Sequence, residues 1–338
     1  MTAFRKHIRS DVVYAETSKG WELPVIDLTH PAFGFDIDKN ELSEISRESL
    51  RWLKRYGHLP GLLRRLISSR LPMIERDNHH WGNGMSAYLQ KLGPENLPKI
   101  LSGIWSRRIS RLIGAVCLRL RLRDMVKLSV EHLVKILPVT GNRPLCMVNI
   151  GGGTAADSLN TLLTLHRTFP SLLLKQRIAI YVLDTDTAAP LFGSRALAAL
   201  MSNDGPLAGL RVSFHHITRD WNHPESLGML LKHLREMKSV VMVSSEGALF
   251  EYGSDEVIIA NLAMLRDHSP PETIIIGSVI QRFEDADPNL ILLQSITEMP
   301  IRFMGLNMFE QLAGQTGWSM AASPLENPFF HVVCLTKR

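Results

Sequence analysis

Apolar residues follow two different periods along this chain. Between about residues 40 and 140 they recur every three or four positions, as at Leu42, Ile45, Leu50 and Leu53 in ELSEISRESLRWLKRYG (41–57). GLLRRLISSRL (61–71) and the long stretch 104–137 repeat the spacing. That period predicts amphipathic helices, broken at Gly57 to Pro60, at Pro72 and at Gly82 to Gly84. Residues 20–36 have no clear period and are expected to be extended. After residue 140, short apolar runs alternate with helical segments. Strands are expected at 145–150, 177–184, 210–218, 239–244, 272–280 and 329–337, and helices at 155–169, 193–203, 225–237, 254–268 and 308–318. Alternation of this kind makes a parallel, doubly wound α/β sheet with helices on both faces. Residues 1–140 are thus expected to form a mainly helical cap, residues 141–338 the ligand-binding sheet domain. The turn-like TGNRP (140–144) joins them without a long linker, so the cap should pack on the sheet.

Composition narrows the class. Of 338 residues 45% are hydrophobic and 21% charged, enough for a real core. Cys117, Cys146 and Cys334 are odd in number and far apart, which excludes a disulfide framework and a thiolate zinc site. No apolar run approaches the roughly 18 residues of a membrane span, and no apolar run follows the basic start, so a cytoplasmic protein is expected. The net charge of +5 hides a basic block: residues 51–140 carry 17 Lys or Arg against 5 Asp or Glu. The block reads as a solvated helical face, as a dock for an acidic carrier protein, or as a nucleic-acid surface. The last is disfavoured, because no exposed aromatics interleave the arginines.

Candidate chemistry starts at MVNIGGGTAADS (147–158), where a strand runs through Gly151, Gly152 and Gly153 into a helix. Glycines at such a turn let a ligand approach the backbone. Gly151, Gly153 and Ala156 also fit the spacing of dinucleotide folds. The next strand ends in Asp184 and Asp186, placed to accept hydrogen bonds from ribose hydroxyls, and the third leads to Asp220 and Trp221, an acid and an aromatic suited to adenine.

On these residues the segment 143–338 resembles the class I S-adenosylmethionine-dependent methyltransferases, with their Rossmann-like sheet. In that family the loop reads acid-x-Gly-x-Gly-x-Gly; here Asn149 stands for the acid and Ala155 for the last glycine. The resemblance implies S-adenosyl-L-methionine as cofactor. It implies Asn149, Gly151, Gly152 and Gly153 in the loop, Asp184 or Asp186 at the ribose, Asp220 with Trp221 at the adenine, and Ser244 and Ser245 at the end of the fourth strand. The closing FFHVVCLTK resembles the antiparallel hairpin that separates this family from dinucleotide folds. Aligned on Asp255 and Glu256, the family's catalytic histidine falls on Glu251, with Tyr252 beside it. Glu251 is then a candidate base or a plain helix N-terminal acid. No Asp/Asn-Pro-Pro-aromatic tetrad or Pro-Cys follows that strand, which disfavours methylation of nucleic-acid bases. Within RDNHHWGNGMSAY (76–88), His79, His80, Trp81, Asn83 and Tyr88 suggest a substrate loop, with His80 a candidate catalytic group and no third metal ligand. His215 and His216 are expected to be structural.

The reading is a transferase acting on a small molecule by in-line displacement, with a homodimer as its expected assembly. The alternatives are a methyltransferase-like enzyme that cyclises S-adenosylmethionine to azetidine-2-carboxylate and methylthioadenosine, an NAD(P)-dependent oxidoreductase, and a non-catalytic cofactor-binding protein.

Overall fold

The computed structural model describes residues 11–56, 84–99 and 103–338. The short strands β1 (Tyr14–Glu16) and β2 (Glu22–Pro24) come first, then α1 (Lys39–Tyr56), α2 (Gly84–Lys91), α3 (Ile104–Ile109) and α4 (Ile113–Thr140). Strands and helices then alternate: β3 (Leu145–Ile150), α5 (Ala156–Thr168), β4 (Arg177–Leu183), α6 (Ala188–Leu200), β5 (Arg211–Ile217), α7 (Glu225–Glu236) and β6 (Val240–Ser245). After the one-turn α8 (Leu249–Tyr252) come α9 (Asp255–His268), β7 (Ile274–Ile280), α10 (Pro288–Thr297), α11 (Gly305–Gln315), β8 (Trp318–Met320), β9 (Leu325–Glu326) and β10 (Phe330–Lys337).

The main sheet runs β5-β4-β3-β6-β7-β10-β8, with β9 also pairing β10. Strands β3 to β7 pair in parallel, and β10 lies antiparallel between β7 and β8. This is the doubly wound α/β sheet that the alternation predicts, including the reversed strand expected at the C-terminus.

Its two faces follow from the two-residue period of a strand. Leu145 and Met147 of β3, with Ile178, Ile180 and Val182 of β4, share a core with Leu122 and Met125 of α4, Leu159 and Leu162 of α5 and Phe192 of α6. The intervening Cys146, Val148 and Ile150 face the opposite core, built on Leu231 of α7, Leu262 of α9 and Phe309 of α11. Because α4 belongs to the first core, the last helix before residue 140 is pinned to the sheet.

Several elements differ from the sequence pattern. The stretch 104–137 divides into α3 and α4 at Ser110, whose hydroxyl bonds back to the Arg107 carbonyl. Helix α10 lies where the apolar pattern predicts no element; its start is set locally, with Asp287 capping Asn289 N–H at 2.8 Å and Pro288 at the first helical position. In the segment read as extended, only β2 is a strand; turns follow from Asp27.

Candidate functional site

The connections of β3 and β6 wind away from each other, which opens a crevice beyond the carboxyl ends of these two neighbours. Asn149 pairs with Ser244, so Gly151 and Glu246, two residues further on, stand at one level across that crevice. Gly151 (φ +61) and Gly153 (φ +51) adopt left-handed backbone conformations. A Cβ on Gly151 would lie 2.4 Å from the Ala248 methyl and 2.7 Å from the Trp221 ring. The turn is therefore as tight as its glycines suggest.

The acids at the end of β4 hold this turn. Asp184 Oδ2 accepts from Gly153 N–H at 2.8 Å, across 31 residues of sequence, and its Oδ1 accepts from Asp186 N–H at 2.9 Å. Burial raises the Asp184 carboxyl above its usual range, and those two amides pull it part of the way back. Asp186 Oδ1 accepts from Ala188 N–H, while its Oδ2 is buried without a hydrogen-bond partner. Asp220 accepts from Asn222 through both oxygens, in a local turn. Trp221 lies along Gly151 and is fixed by its carbonyl, which accepts from Asn261 Nδ2 at 2.8 Å. His216 bonds the Asp184 carbonyl, and His215 stacks on Tyr181.

Other residues expected to touch the cofactor are occupied internally. Asn149 is fully buried; its Oδ1 accepts from Ser158 and Ser244, and its Nδ2 donates to the Tyr181 carbonyl. It clamps β3 to β4, β6 and α5. Ser245 Oγ accepts from Leu249 N–H and so starts α8.

Glu251 is also internal. It is 3% exposed, its carboxylate takes Arg121 Nη1 at 3.0 and 3.2 Å, and Ser278 donates to it. Burial raises its carboxyl, with Arg121 opposing. Burial, then the neighbouring Glu251 charge, push the Tyr252 phenol up to about 12, so it keeps its proton at neutral pH. His80, with His79, Trp81 and Asn83, lies outside the described residues. Tyr88 of the same motif lies in α2, where its buried hydroxyl donates to the Pro24 carbonyl and accepts from Ile26 N–H. That pairing makes Tyr88 an anchor for α2 rather than a loop contact. Among the described residues there is no cluster of His, Cys, Asp or Glu able to hold a metal.

The structure adds a charge cluster that the sequence pattern did not single out. Glu246 meets Lys91 Nζ at 2.6 Å and Arg121 Nε at 3.4 Å, with all three side chains at most 7% exposed. Burial alone would raise the Glu246 carboxyl; Lys91 and Arg121 outweigh it and hold it below its ordinary value. Asp157, in the first turn of α5, is pushed up to about 6, first by burial and then by the Glu246 charge. Asp157 lies inside the glycine motif and Glu246 directly follows Ser244 and Ser245, and their position beside the strand ends is the signal that would have found them. No spacing links them to Lys91 or Arg121, which come from α2 and α4. The basic block is therefore divided: Arg121 enters the site, whereas Arg108 and Arg111 make exposed pairs with Glu48 and Glu95.

No protein-family model matches the chain, and no curated protein matches it. Its fold is that of solved structures. It is similar to a protein of Bordetella parapertussis described as a "possible exported protein", at 14% identity and a TM-score of 0.51, over 88% of this chain and 95% of that one. An O-methyltransferase family protein from Burkholderia thailandensis aligns at 12% identity and a TM-score of 0.43, over 82% of this chain and 70% of that one. The mitomycin 7-O-methyltransferase aligns over 71% of this chain at 10% identity and a TM-score of 0.39, and the match spans 60% of that protein. No described helix is long and apolar enough to cross a membrane.

Proposed function

We propose that the chain is an S-adenosylmethionine-dependent transferase of the methyltransferase type, acting on a small molecule. The observation that carries this reading is the unpartnered, buried Oδ2 of Asp186, set beside a glycine turn at the crevice between β3 and β6. Buried polar atoms are nearly always paired. Asp186 lies two residues from Asp184, and the two carboxylates together supply the pair of acceptors that vicinal ribose hydroxyls need. Gly151 and Gly153 carry no side chain of their own at the turn, and the Trp221 ring lies beside Gly151.

When bound, the cofactor supplies a methyl group on a sulfonium, already activated for displacement. The work left to this chain is to orient and to exclude water. Asp184 and Asp186 set the ribose. Glu246, held ionised by its two cations, puts a carboxylate at the carboxyl end of β6. Tyr252, protonated at neutral pH, can donate but does not serve as a phenolate base. Glu251 belongs to the support of Arg121.

Calorimetric titration with S-adenosylmethionine, S-adenosylhomocysteine and NAD tests the reading. We expect binding of the first two, weakened at least tenfold by Asp184→Ala and by Asp186→Ala, and none of NAD. Mass spectrometry of the incubated mixture then reads the chemistry. S-adenosylhomocysteine formed with an acceptor marks methyl transfer, whereas methylthioadenosine formed without one marks ring closure within the cofactor. Binding of NAD alone overturns the proposal.

A further inference from the structure

Helix α2 lies directly on the glycine turn. A Cβ on Gly84, its first residue, would come 2.8 Å from the Gly153 Cα and 2.7 Å from the Ala189 methyl, with Asp186 Oδ2 at 3.7 Å. Nothing fits between Gly84 and the loop, so a ligand lying along Gly153 and reaching Asp186 must displace this end of α2. The other end of the helix carries Lys91, whose ammonium sits on Glu246 at 2.6 Å. One helix thus covers both flanks of the crevice, with backbone at the β3 turn and a cation at the β6 end.

The charges around Lys91 explain its place. Glu246, Glu251 and Asp157 bring three carboxyl groups into one buried cluster, against the two cations Lys91 and Arg121. Arg121 is shared between Glu246 and Glu251, and its guanidinium fits only because Gly247 lacks a side chain: a Cβ there would lie 2.5 Å from Nη2. Arg121 is thereby fixed on α4, a helix pinned to the sheet. Lys91 stands on the short helix α2, which is tied to the segment at the end of β2 by the Tyr88 hydroxyl bonds to Pro24 and Ile26. Of the two cations, Lys91 is the one carried by the shorter helix, eight residues against the 28 of α4.

We propose that Lys91 is an internal stand-in for the cation of the ligand: it occupies Glu246 while α2 is closed, and a cationic ligand enters by lifting α2 and replacing the ammonium. The ligand class is a small molecule carrying a permanent or protonated cation next to a ribose. In this respect the inference rests on the proposed cofactor and assigns Glu246 as the residue that reads its charge. A ligand without a cation does not satisfy Glu246 and leaves Lys91 in place.

Two measurements on the full chain test it. In the first, hydrogen–deuterium exchange of the amides of residues 151–155 is followed without any ligand. Lys91→Met should raise their exchange at least tenfold, whereas Lys91→Arg, which keeps the charge, should stay near wild type. The double variant Lys91→Met/Glu246→Gln removes both charges together and guards against misfolding from an uncompensated carboxylate. It should exchange as fast as Lys91→Met while keeping the wild-type circular dichroism.

In the second, S-adenosylmethionine is titrated into the same proteins and into Glu246→Gln. Lys91→Met should tighten binding at least fivefold and Glu246→Gln should weaken it at least tenfold. The double variant should match Glu246→Gln, because Lys91 acts through Glu246. A Lys91→Met protein that folds but binds no tighter than wild type, or that leaves loop exchange unchanged, overturns the stand-in. Faster loop exchange with no binding of S-adenosylmethionine by any variant overturns the cofactor reading instead and leaves the closure of α2 established.

Discussion

Asp157→Asn should make the protein more stable at neutral pH, and by more as the pH rises. Asp157 is 3% exposed. Burial, then Glu246, push its carboxyl up to about 6 from the usual 3.8, and hydrogen bonds from Ser244 and Ser158 offset only part of this. A shift of about two units is worth about 3 kcal/mol. The sign follows from linkage: the folded chain holds this proton more tightly than the unfolded one, so unfolding releases it between about pH 4 and 6. Asp157 therefore costs little near pH 4 and progressively more as pH rises through the folded value. Asparagine keeps the shape and the contact with Ser244 but does not ionise. Urea unfolding of both proteins across about pH 4.5 to 8 should show the variant gaining roughly 2 kcal/mol on wild type. Parallel curves refute this reasoning. A variant that loses ground with rising pH refutes it more sharply, since Asp157 would then be an ionised partner of Lys91 in the native state.

Three further outcomes follow from the same cluster and turn. Arg121→Met leaves the carboxylates of Glu251 and Glu246 short of a partner and should cost about 3–5 kcal/mol in urea unfolding; a loss under about 1 kcal/mol would mean that water already reaches them. Gly151→Ala places a methyl 2.4 Å from that of Ala248 in a left-handed conformation. It should cost about 1–3 kcal/mol and abolish binding of S-adenosylmethionine in calorimetry. Tyr88→Phe strands Ile26 N–H and the Pro24 carbonyl and should lower stability by about 1–3 kcal/mol, with faster amide exchange across α2.

The sheet was legible because its signal is local. LCMVNI, RIAIYVL and IIIGSVI are mainly apolar runs, and each is a strand with most of its residues buried. Burial on both faces demands such runs wherever they sit. The glycine turn and Asp184 were legible for the same reason: strain at the turn selects glycine, and an acid closes the next strand end. The roles within the site were harder to read. Asn149 stands where the motif has its acid yet satisfies its amide inside the sheet, and Glu251 aligns with a catalytic position yet pairs with Arg121, 130 residues earlier.

What the order of residues determined by itself is the strand–helix alternation, the winding of the sheet and the place of the crevice, since hydrophobic period and turn chemistry act over a few neighbours. What only the tertiary structure decided is which charges meet there. Lys91, Arg121, Asp157, Glu246 and Glu251 come from α2, α4, α5 and the loop and turn after β6, and carry no common spacing. Their ionisation depends on distance and on the exclusion of water, and packing sets both.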